Sequence, residues 1–233
     1  MPRAEKDLEI ASACIRSLRQ HLLHPITKIV VPGQKSKLIE QFCNRELLEY
    51  WDETEFLDQR ILDFQWRTGG QNRSGWIRQQ FIKLTVAECL EGDHFLIIDA
   101  DTLLTRDLAF MEGDRQILWR ADDLVEEYYA FVEAMIGKVT HRNCSFVTHC
   151  MLFQRHTLKA LKSCIEERSG RDWIDAMLGA IQLDKAAGMS EYEIYAHFLM
   201  RENSSEFRTR YWYNRKADLG SGPINFLADH SIH

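Results

Sequence analysis

The chain has 233 residues and a formal net charge of −6 at pH 7, with 45% apolar and 27% charged residues. This composition is that of an ordinary globular protein, and the length allows one domain with a sizeable core. The negative charge argues against nucleic acid as the main partner. The longest apolar runs are well short of the ~18 residues that span a bilayer, which leaves only peripheral contact with a membrane open.

The cysteines are scattered without any Cys-x-x-Cys spacing. Most lie in apolar stretches, which favours buried, reduced thiols in a cytoplasmic protein over a zinc site or a disulfide framework. The six positions are Cys14, Cys43, Cys89, Cys144, Cys150 and Cys164.

The first predicted element is an amphipathic helix, because apolar residues recur at spacings of three and four from residue 8 to residue 22. Residues 26–31 then predict a strand that stops at Pro32. A strand normally precedes the first helix of a βαβ unit. We therefore expect the opening strand to be missing or truncated.

Alternating helices and strands along the rest of the chain predict an α/β fold. Residues 60–63 suggest a short strand, and a glycine-rich loop at 69–75 leads into a helix at 76–90. Further helices are predicted at 124–136, 156–166, 173–184 and 191–200, and further strands at 94–98, 116–120, 145–153 and 207–213.

Two acidic residues, Asp99 and Asp101, follow the short apolar run at 95–98. Ligands of open α/β sheets bind just beyond the carboxyl ends of strands. Carboxylates at i and i+2 of an extended backbone project the same way, so they can share a divalent cation. The other interpretation is a strand that ends in a solvated polar turn.

An ordered set of motifs surrounds this pair: Gly75-Trp76, Gln80 and Lys83-Leu84 before it, and Ser190-Glu191-Tyr192-Glu193 after it. The set resembles the core of GT-A nucleotide-sugar glycosyltransferases, in particular a bacterial family of poorly characterised glycosyltransferase-like proteins. The resemblance implies one GT-A-like, Rossmann-like domain over residues 1–233, with a mixed, mostly parallel central sheet flanked by helices. Its nucleotide-binding half would span about residues 1–110, and its acceptor half about 111–233.

The resemblance also implies a metal and donor site. Asp101 would ligate Mn²⁺ or Mg²⁺ at the two phosphates of the donor, and Asp99 would face the ribose or sugar of the donor and add to the metal site. The cation neutralises charge that builds on the leaving nucleoside diphosphate, and oxygen ligands suit both metals. Lys83, Arg78 and Gln80 would contact the donor, although a solvated helix face equally explains the two basic residues.

Three further residues are assigned by the same resemblance. His149 lies in a block similar to one that lines the sugar or acceptor site, and Trp76 is assigned to the substrate with it. A late histidine often completes the metal shell of GT-A enzymes, which indicates His230. The competing interpretations are a structural role for His149 and a disordered tail for His230.

The Ser190-Glu191-Tyr192-Glu193 block combines a helix start with a candidate catalytic group. Ser190 and Glu193 have the spacing of a capping box, whereas Glu191 is left pointing out of the helix N-terminus. An inverting transferase needs a carboxylate that takes the proton from the attacking hydroxyl. Glu191 is the candidate; it could equally be a first-turn acid favoured by the helix dipole. Asp122 and Asp123 are alternative bases.

Together these observations predict a metal-dependent, inverting glycosyltransferase that moves a sugar from a nucleoside-diphosphate sugar to a hydroxyl of a glycan or lipid-linked saccharide. Polysaccharide biosynthesis is the expected setting. The alternatives are a nucleotide-sugar-binding GT-A domain that is incomplete or without turnover, and a nucleotidyltransferase. A hydrolase is disfavoured because the chain has neither Gly-x-Ser-x-Gly nor His-Glu-x-x-His.

Overall fold

The computed structural model describes residues 5–139, 141–185, 187–203, 205–218 and 223–228, and these form a mixed α/β architecture. Its helices are α1 (Glu5–His21), α2 (Lys37–Glu46), α3 (Gln59–Asp63), α4 (Ser74–Cys89), α5 (Glu126–Ile136), α6 (Arg155–Ser169), α7 (Trp173–Ala180) and α8 (Glu191–Glu202). A short 3₁₀ turn spans Glu53–Glu55.

The strands are short. They are β1 (Val30–Gly33), β2 (Glu49–Asp52), β3 (Arg67–Thr68), β4 (Gln71–Asn72), β5 (His94–Ile98), β6 (Thr102–Leu104), β7 (Met111–Glu112), β8 (Arg115–Arg120), β9 (Cys150–Gln154), β10 (Phe207–Tyr211), β11 (Tyr213–Asp218) and β12 (Pro223–Ala228). The mixed α/β class and the main helices expected from apolar periodicity are thereby confirmed.

The described strands do not pair as one mostly parallel central sheet. They form five small sheets, in the orders β1-β2, β10-β8-β7, β11-β12-β6, β3-β4 and β5-β9. Three of these pairings are parallel (β1-β2, β10-β8 and β12-β6), whereas β5 and β9, which carry the candidate site, run antiparallel. The expectation of one mostly parallel sheet did not anticipate that strands such as β5 and β9 would pair in antiparallel fashion.

Two local predictions are wrong. The strand expected at 60–63 is helix α3, because the Asp58 carboxylate accepts a hydrogen bond from the backbone of Arg60 and caps a helical turn. The strand expected at 26–31 begins at Val30 and continues through Pro32, which was expected to end it. Apolar runs of four to six residues do not distinguish helix from strand by periodicity.

The main core lies among the helices of the C-terminal two thirds. Residues of α4, α5, α7 and α8 pack there with those of β5 and β9; Ile77, Phe81, Val132, Phe153 and Ile194 are each fully buried. The stripe expected on α4 is thus confirmed, since Ile77, Phe81 and Leu84 all lie in this core. α1 packs instead in smaller clusters with β1, α2, β5 and β6.

Helix α2 ends at an exposed leucine in a left-handed conformation. Leu47 has φ 55° and ψ 52°, and its side chain is 87% exposed. Its backbone N–H donates to the carbonyls of Cys43 and Asn44, which closes the last turn.

Four of the six cysteines are buried, in agreement with the thiol prediction: Cys14, Cys43, Cys144 and Cys150. Cys89 is exposed and Cys164 is intermediate. Within the described ranges, every helix is too short or too polar to cross a membrane.

Candidate functional site

A cavity of about 1020 Å³ follows the whole length of β5. Its walls come from α1, β1 and α4, and its lining is largely aliphatic. Charged and polar groups gather at the carboxyl end of β5, where Lys83, Asp99, Asp101 and His149 line the wall. This polar end of an otherwise apolar cavity is the candidate functional site.

Asp99 and Asp101 lie in a turn, not on an extended strand. β5 ends at Ile98, and the backbone N–H of Thr102 donates to the carbonyl of Asp99 at 3.0 Å, which closes a four-residue turn. The side chain of Asp99 is 25% exposed, whereas Asp101 is exposed. The extended backbone from which the shared direction of the two carboxylates was argued is therefore absent, although both residues line the same cavity.

The Asp99 carboxylate is held on both oxygens. Lys83 Nζ lies 2.6 Å from Oδ1, and the Tyr192 hydroxyl donates to the same oxygen at 3.4 Å. His149 Nδ1 lies 2.9 Å from Oδ2. Burial raises the pKa of Asp99, but the Lys83 and His149 charges outweigh it, so the pKa falls below its usual range.

Lys83 is the hub of the cluster. Its ammonium donates to Glu191 Oε1 at 2.7 Å and to the Tyr192 hydroxyl at 3.3 Å, in addition to its contact with Asp99. Burial lowers the pKa of Lys83, but the charges of Asp99 and Glu191 raise it by more, so the ammonium is retained. A lysine on the third turn of α4 thereby links the end of β5 to the start of α8.

Glu191 is buried at the start of α8. It is the first residue of α8, it is 2% exposed, and Lys83 is its ion-pair partner. Burial raises the pKa of Glu191, and the nearby Lys83 charge offsets this only in part. Glu191 is not part of the cavity lining, and its carboxylate contacts Lys83 and not the open cavity.

The capping box at the start of α8 forms only in one direction. Ser190 Oγ accepts from the backbone N–H of Glu193 at 3.2 Å, as the spacing predicts. The Glu193 carboxylate instead accepts from Ser145 Oγ at 2.6 Å and from the Phe146 N–H at 2.9 Å. Glu193 therefore holds the segment that leads to His149, a role that the helix-start motif had concealed.

His149 reaches Asp99 from an unusual backbone conformation. Its φ is 59°, in the left-handed region that non-glycine residues rarely adopt. Its carbonyl accepts from the Asp99 N–H at 2.9 Å, so the two residues contact each other through both backbone and side chain. Burial lowers the pKa of His149, but the hydrogen bond and charge of Asp99 raise it further, so the net shift is upward. Such strain commonly accompanies functional sites.

The other predicted donor-contact residues divide into two groups. Trp76 and Gln80 line the cavity, and Gln80 donates to the Trp76 carbonyl at 3.1 Å. Arg78 does not line the cavity; it forms an ion pair with buried Glu53 at 2.8 Å. Residues two apart on a helix face different sides, so Arg78 lies on a different face of α4 from Trp76 and Gln80.

The alternative bases are also away from the cavity lining. Asp122 accepts a short hydrogen bond from the Tyr211 hydroxyl, and Asp123 accepts from the Asn214 amide at 3.3 Å. Both aspartates are exposed. His230 lies outside the described residues, so its proposed place in a metal shell stays a prediction.

A metal ion would depend mainly on Asp101. In the part of the chain that the structure describes, no three His, Cys, Asp or Glu side chains are grouped so as to hold an ion. Both oxygens of Asp99 already have partners, whereas Asp101 is exposed at the cavity wall. Mg²⁺ is often bound by one or two carboxylates together with substrate phosphates, and this donor set fits that mode.

Sequence reasoning missed Tyr192 as a site residue. Its hydroxyl lies within 3.4 Å of both Lys83 Nζ and Asp99 Oδ1, and Lys83 Nζ stands 4.5 Å from the centroid of its ring. In the sequence, only its position next to Glu191 indicated a role in the site, because a tyrosine on the apolar face of a helix more often belongs to the core.

A family model matches residues 4–233 and is described as a family of unknown function, DUF6492. The chain belongs to this family. No curated protein matches it. The DUF6492 description names no activity, so any function of this DUF6492 chain has to be argued from the site itself.

Proposed function

We propose that the chain is a metal-dependent glycosyltransferase of GT-A-like arrangement. It transfers a sugar from a nucleoside-diphosphate sugar to a hydroxyl of a saccharide or glycolipid, with inversion, in the cytoplasm. The single GT-A domain, its nucleotide-binding and acceptor halves, and a role in polysaccharide biosynthesis belong to the same proposal.

One observation carries most of the support. Four separate chain segments bring Lys83, Asp99, His149 and Glu191 into one hydrogen-bonded cluster at the polar end of a large cavity. Groups with shifted pKa values that converge beside a cavity are typical of functional sites. Exposed Asp101 lies beside this cluster on the cavity wall.

In this proposal Asp101 holds Mn²⁺ or Mg²⁺ together with the donor diphosphate, and a bound cation supplies positive charge to the leaving group. Lys83 contributes a second, fixed positive charge on the same wall. The Asp99 carboxylate orients both Lys83 and His149, because it hydrogen bonds to each through a different oxygen. Trp76 and Gln80 form part of the wall against which substrate would rest.

The group that accepts the proton has two candidates. Glu191 stays the predicted base, but in the present geometry it lies behind Lys83 and off the cavity wall. His149 lines the cavity, and its Nδ1 is engaged by Asp99, which leaves Nε2 for a proton. An imidazole oriented by a carboxylate is a common general base.

Substitution of Asp101 tests the metal role. We expect Asp101→Ala to abolish the Mn²⁺-dependent part of uridine or guanosine diphosphate binding, measured by calorimetry with and without Mn²⁺. Asp114→Ala is the matched control, because Asp114 is also an exposed turn aspartate but does not line the cavity. Equal binding by wild type and Asp101→Ala would refute the metal role.

A nucleotide-sugar-binding domain without turnover is the second candidate, favoured by the burial of Glu191. Release of nucleoside diphosphate from a panel of nucleotide sugars distinguishes the two. If Glu191 is the base, Glu191→Gln keeps its donor affinity and loses turnover by roughly 10²-fold or more. Loss of turnover in His149→Asn alone would transfer the role to His149, and absence of wild-type turnover would favour the binding domain.

A further inference from the structure

The cavity separates two strands that each have a free edge. Among the strands that the structure describes, β5 pairs only with β9, and β1 pairs only with β2. Residues 30–32 of β1 and all of β5 line the same cavity. We call the space between them the strand slot.

Backbone groups of β5 face away from β9 towards this free edge. The Asp99 N–H donates to the His149 carbonyl, so Asp99 and every second residue before it take part in the hydrogen-bonded pairs of the β5–β9 ladder. Leu96 and Ile98 are the alternate residues. Their N–H and C=O groups therefore point to the other edge, where no described strand pairs with them.

The apolar side chains beside the slot are also less buried than aliphatic side chains of such strands usually are. Leu96, Ile97 and Ile98 are only half-buried, and so are Val30 and Val31 across the slot. Strands of aliphatic residues in α/β sheets are normally buried on both faces. The slot thus exposes both apolar side chains and unpaired backbone groups.

The course of α1 defines the direction of the slot. Cys14, near the middle of α1, places Sγ 3.7 Å from the Asp99 carbonyl at the carboxyl end of β5. Leu18, further along, packs in the same cluster as Leu96 near the middle of β5. α1 therefore runs opposite to β5, and its first residues lie towards the polar end.

β1 runs in the same direction as β5. Ile29, just before β1, packs both in the cluster that contains Leu96 and in the cluster that contains Ala100, whereas Val31 packs only in the latter. A strand in the slot parallel to both would end at the polar end, beside the start of α1.

We propose that the strand slot binds an extended, apolar polypeptide strand that runs parallel to β1 and β5 and ends beside the start of α1. Five residues suffice, because β5 spans five residues at roughly 3.3 Å each. The bound strand would unite β2, β1, β5 and β9 into one continuous sheet. This proposal does not depend on the glycosyltransferase proposal.

The backbone of the slot favours a polypeptide over an aliphatic ligand. The N–H and C=O groups of Leu96 and Ile98 need hydrogen-bond partners once water is excluded. A peptide strand supplies those partners and apolar side chains together, as in other cases of strand addition to a sheet edge. An alkyl chain would cover the side chains and leave the backbone groups unpaired.

The test extends the full chain at Met1 with the segment Val-Ile-Val-Val-Ile. The matched control carries prolines at the second and fourth positions of that segment, which removes backbone donors. Amide hydrogen exchange is measured over residues 94–99, together with the thermal midpoint. Both segments are also tested as separate peptides with a lysine tail, so that a poorly folding fusion does not decide the result.

We expect the valine-isoleucine segment to slow exchange at Leu96 and Ile98 by about tenfold or more and to raise the thermal midpoint, while the proline control does neither. Unchanged exchange, or equal protection by the control, would overturn the proposal. Protection of the unextended chain that grows with protein concentration would assign the slot to a second copy. Equal protection by decanoate would assign it to an aliphatic ligand.

Discussion

Neighbouring aspartates have opposite environments at this site. Asp99 is held by Lys83 and His149, whereas Asp101, two residues later, is exposed. The turn that closes at Thr102 causes this difference. The sequence predicted Asp101 as the better metal candidate, which stays a prediction, but not that Asp99 would be committed to protein partners.

The His149–Asp99 pair predicts a pH-dependent contribution to stability. Because the pKa of His149 is raised in the folded protein, its stabilisation is fully present below the unfolded pKa of about 6.5 and is lost as pH rises through the folded pKa. We expect His149→Asn to lower the free energy of unfolding by on the order of 1 kcal/mol at pH 5.5 and by less at pH 9.

Asparagine is the suitable replacement because it tolerates the left-handed backbone of His149 better than most residues. Urea denaturation across this pH range measures the difference. A loss of stability that is constant from pH 5.5 to pH 9 would mean that the protonated imidazole does not contribute.

At the scale of elements, one ammonium ion on α4 forms ion pairs with two carboxylates, one of which lies at the start of α8. Asp99 and Glu191 both lie within 2.7 Å of Lys83 Nζ. Removing that charge leaves buried Glu191 without an ion-pair partner among the described residues, which is among the more costly changes in a protein interior. The two helices are therefore coupled by electrostatics as well as by packing.

A double-mutant cycle tests this coupling. We expect Lys83→Met to lower the free energy of unfolding by about 3 kcal/mol, and by clearly less in a Glu191→Gln background, because one buried charge is then already absent. Lys159→Met, on the exposed face of α6, is the control and should change stability little. Equal costs of Lys83→Met in both backgrounds would show that Glu191 and Lys83 are not coupled.

The elements differ in how well the sequence predicted them. α4 and α8 were predicted within two residues at each end, because long amphipathic periods and the Ser190 cap are local signals. α3 was missed because its deciding feature is the single cap at Asp58. Glu193 was misread for a related reason: its spacing from Ser190 is local, whereas its partners Ser145 and Phe146 are distant in sequence.

For the whole molecule, the decisive contacts are long-range. Lys83 and Glu191 are separated by 108 residues in the chain, and His149 and Asp99 by 50. Motifs in order along the sequence indicated that these segments belong to one site. They did not indicate that Lys83 would separate Glu191 from the cavity, because the position of Glu191 depends on how α8 packs against α4.

The pairing of strands was likewise beyond the sequence. Apolar runs located β5 and β8 closely, yet their neighbours are β9 and β10, which come much later in the chain. The prediction of a missing strand rested on βαβ logic alone, and it stays a prediction.

The left-handed end of α2 has a practical consequence for handling the protein. Leu47 combines a backbone conformation that costs a non-glycine residue about 1–2 kcal/mol with a side chain almost fully in water. We expect Leu47→Asn to raise the free energy of unfolding by about 0.5–1 kcal/mol and to reduce self-association in concentrated samples. Leu23→Asn, at an exposed leucine without a positive φ, should reproduce at most the effect on self-association. Denaturation curves and light scattering of the two variants would therefore separate the relief of backbone strain from the removal of an exposed apolar side chain. An unchanged free energy of unfolding in Leu47→Asn would show that the backbone of Leu47 is not strained.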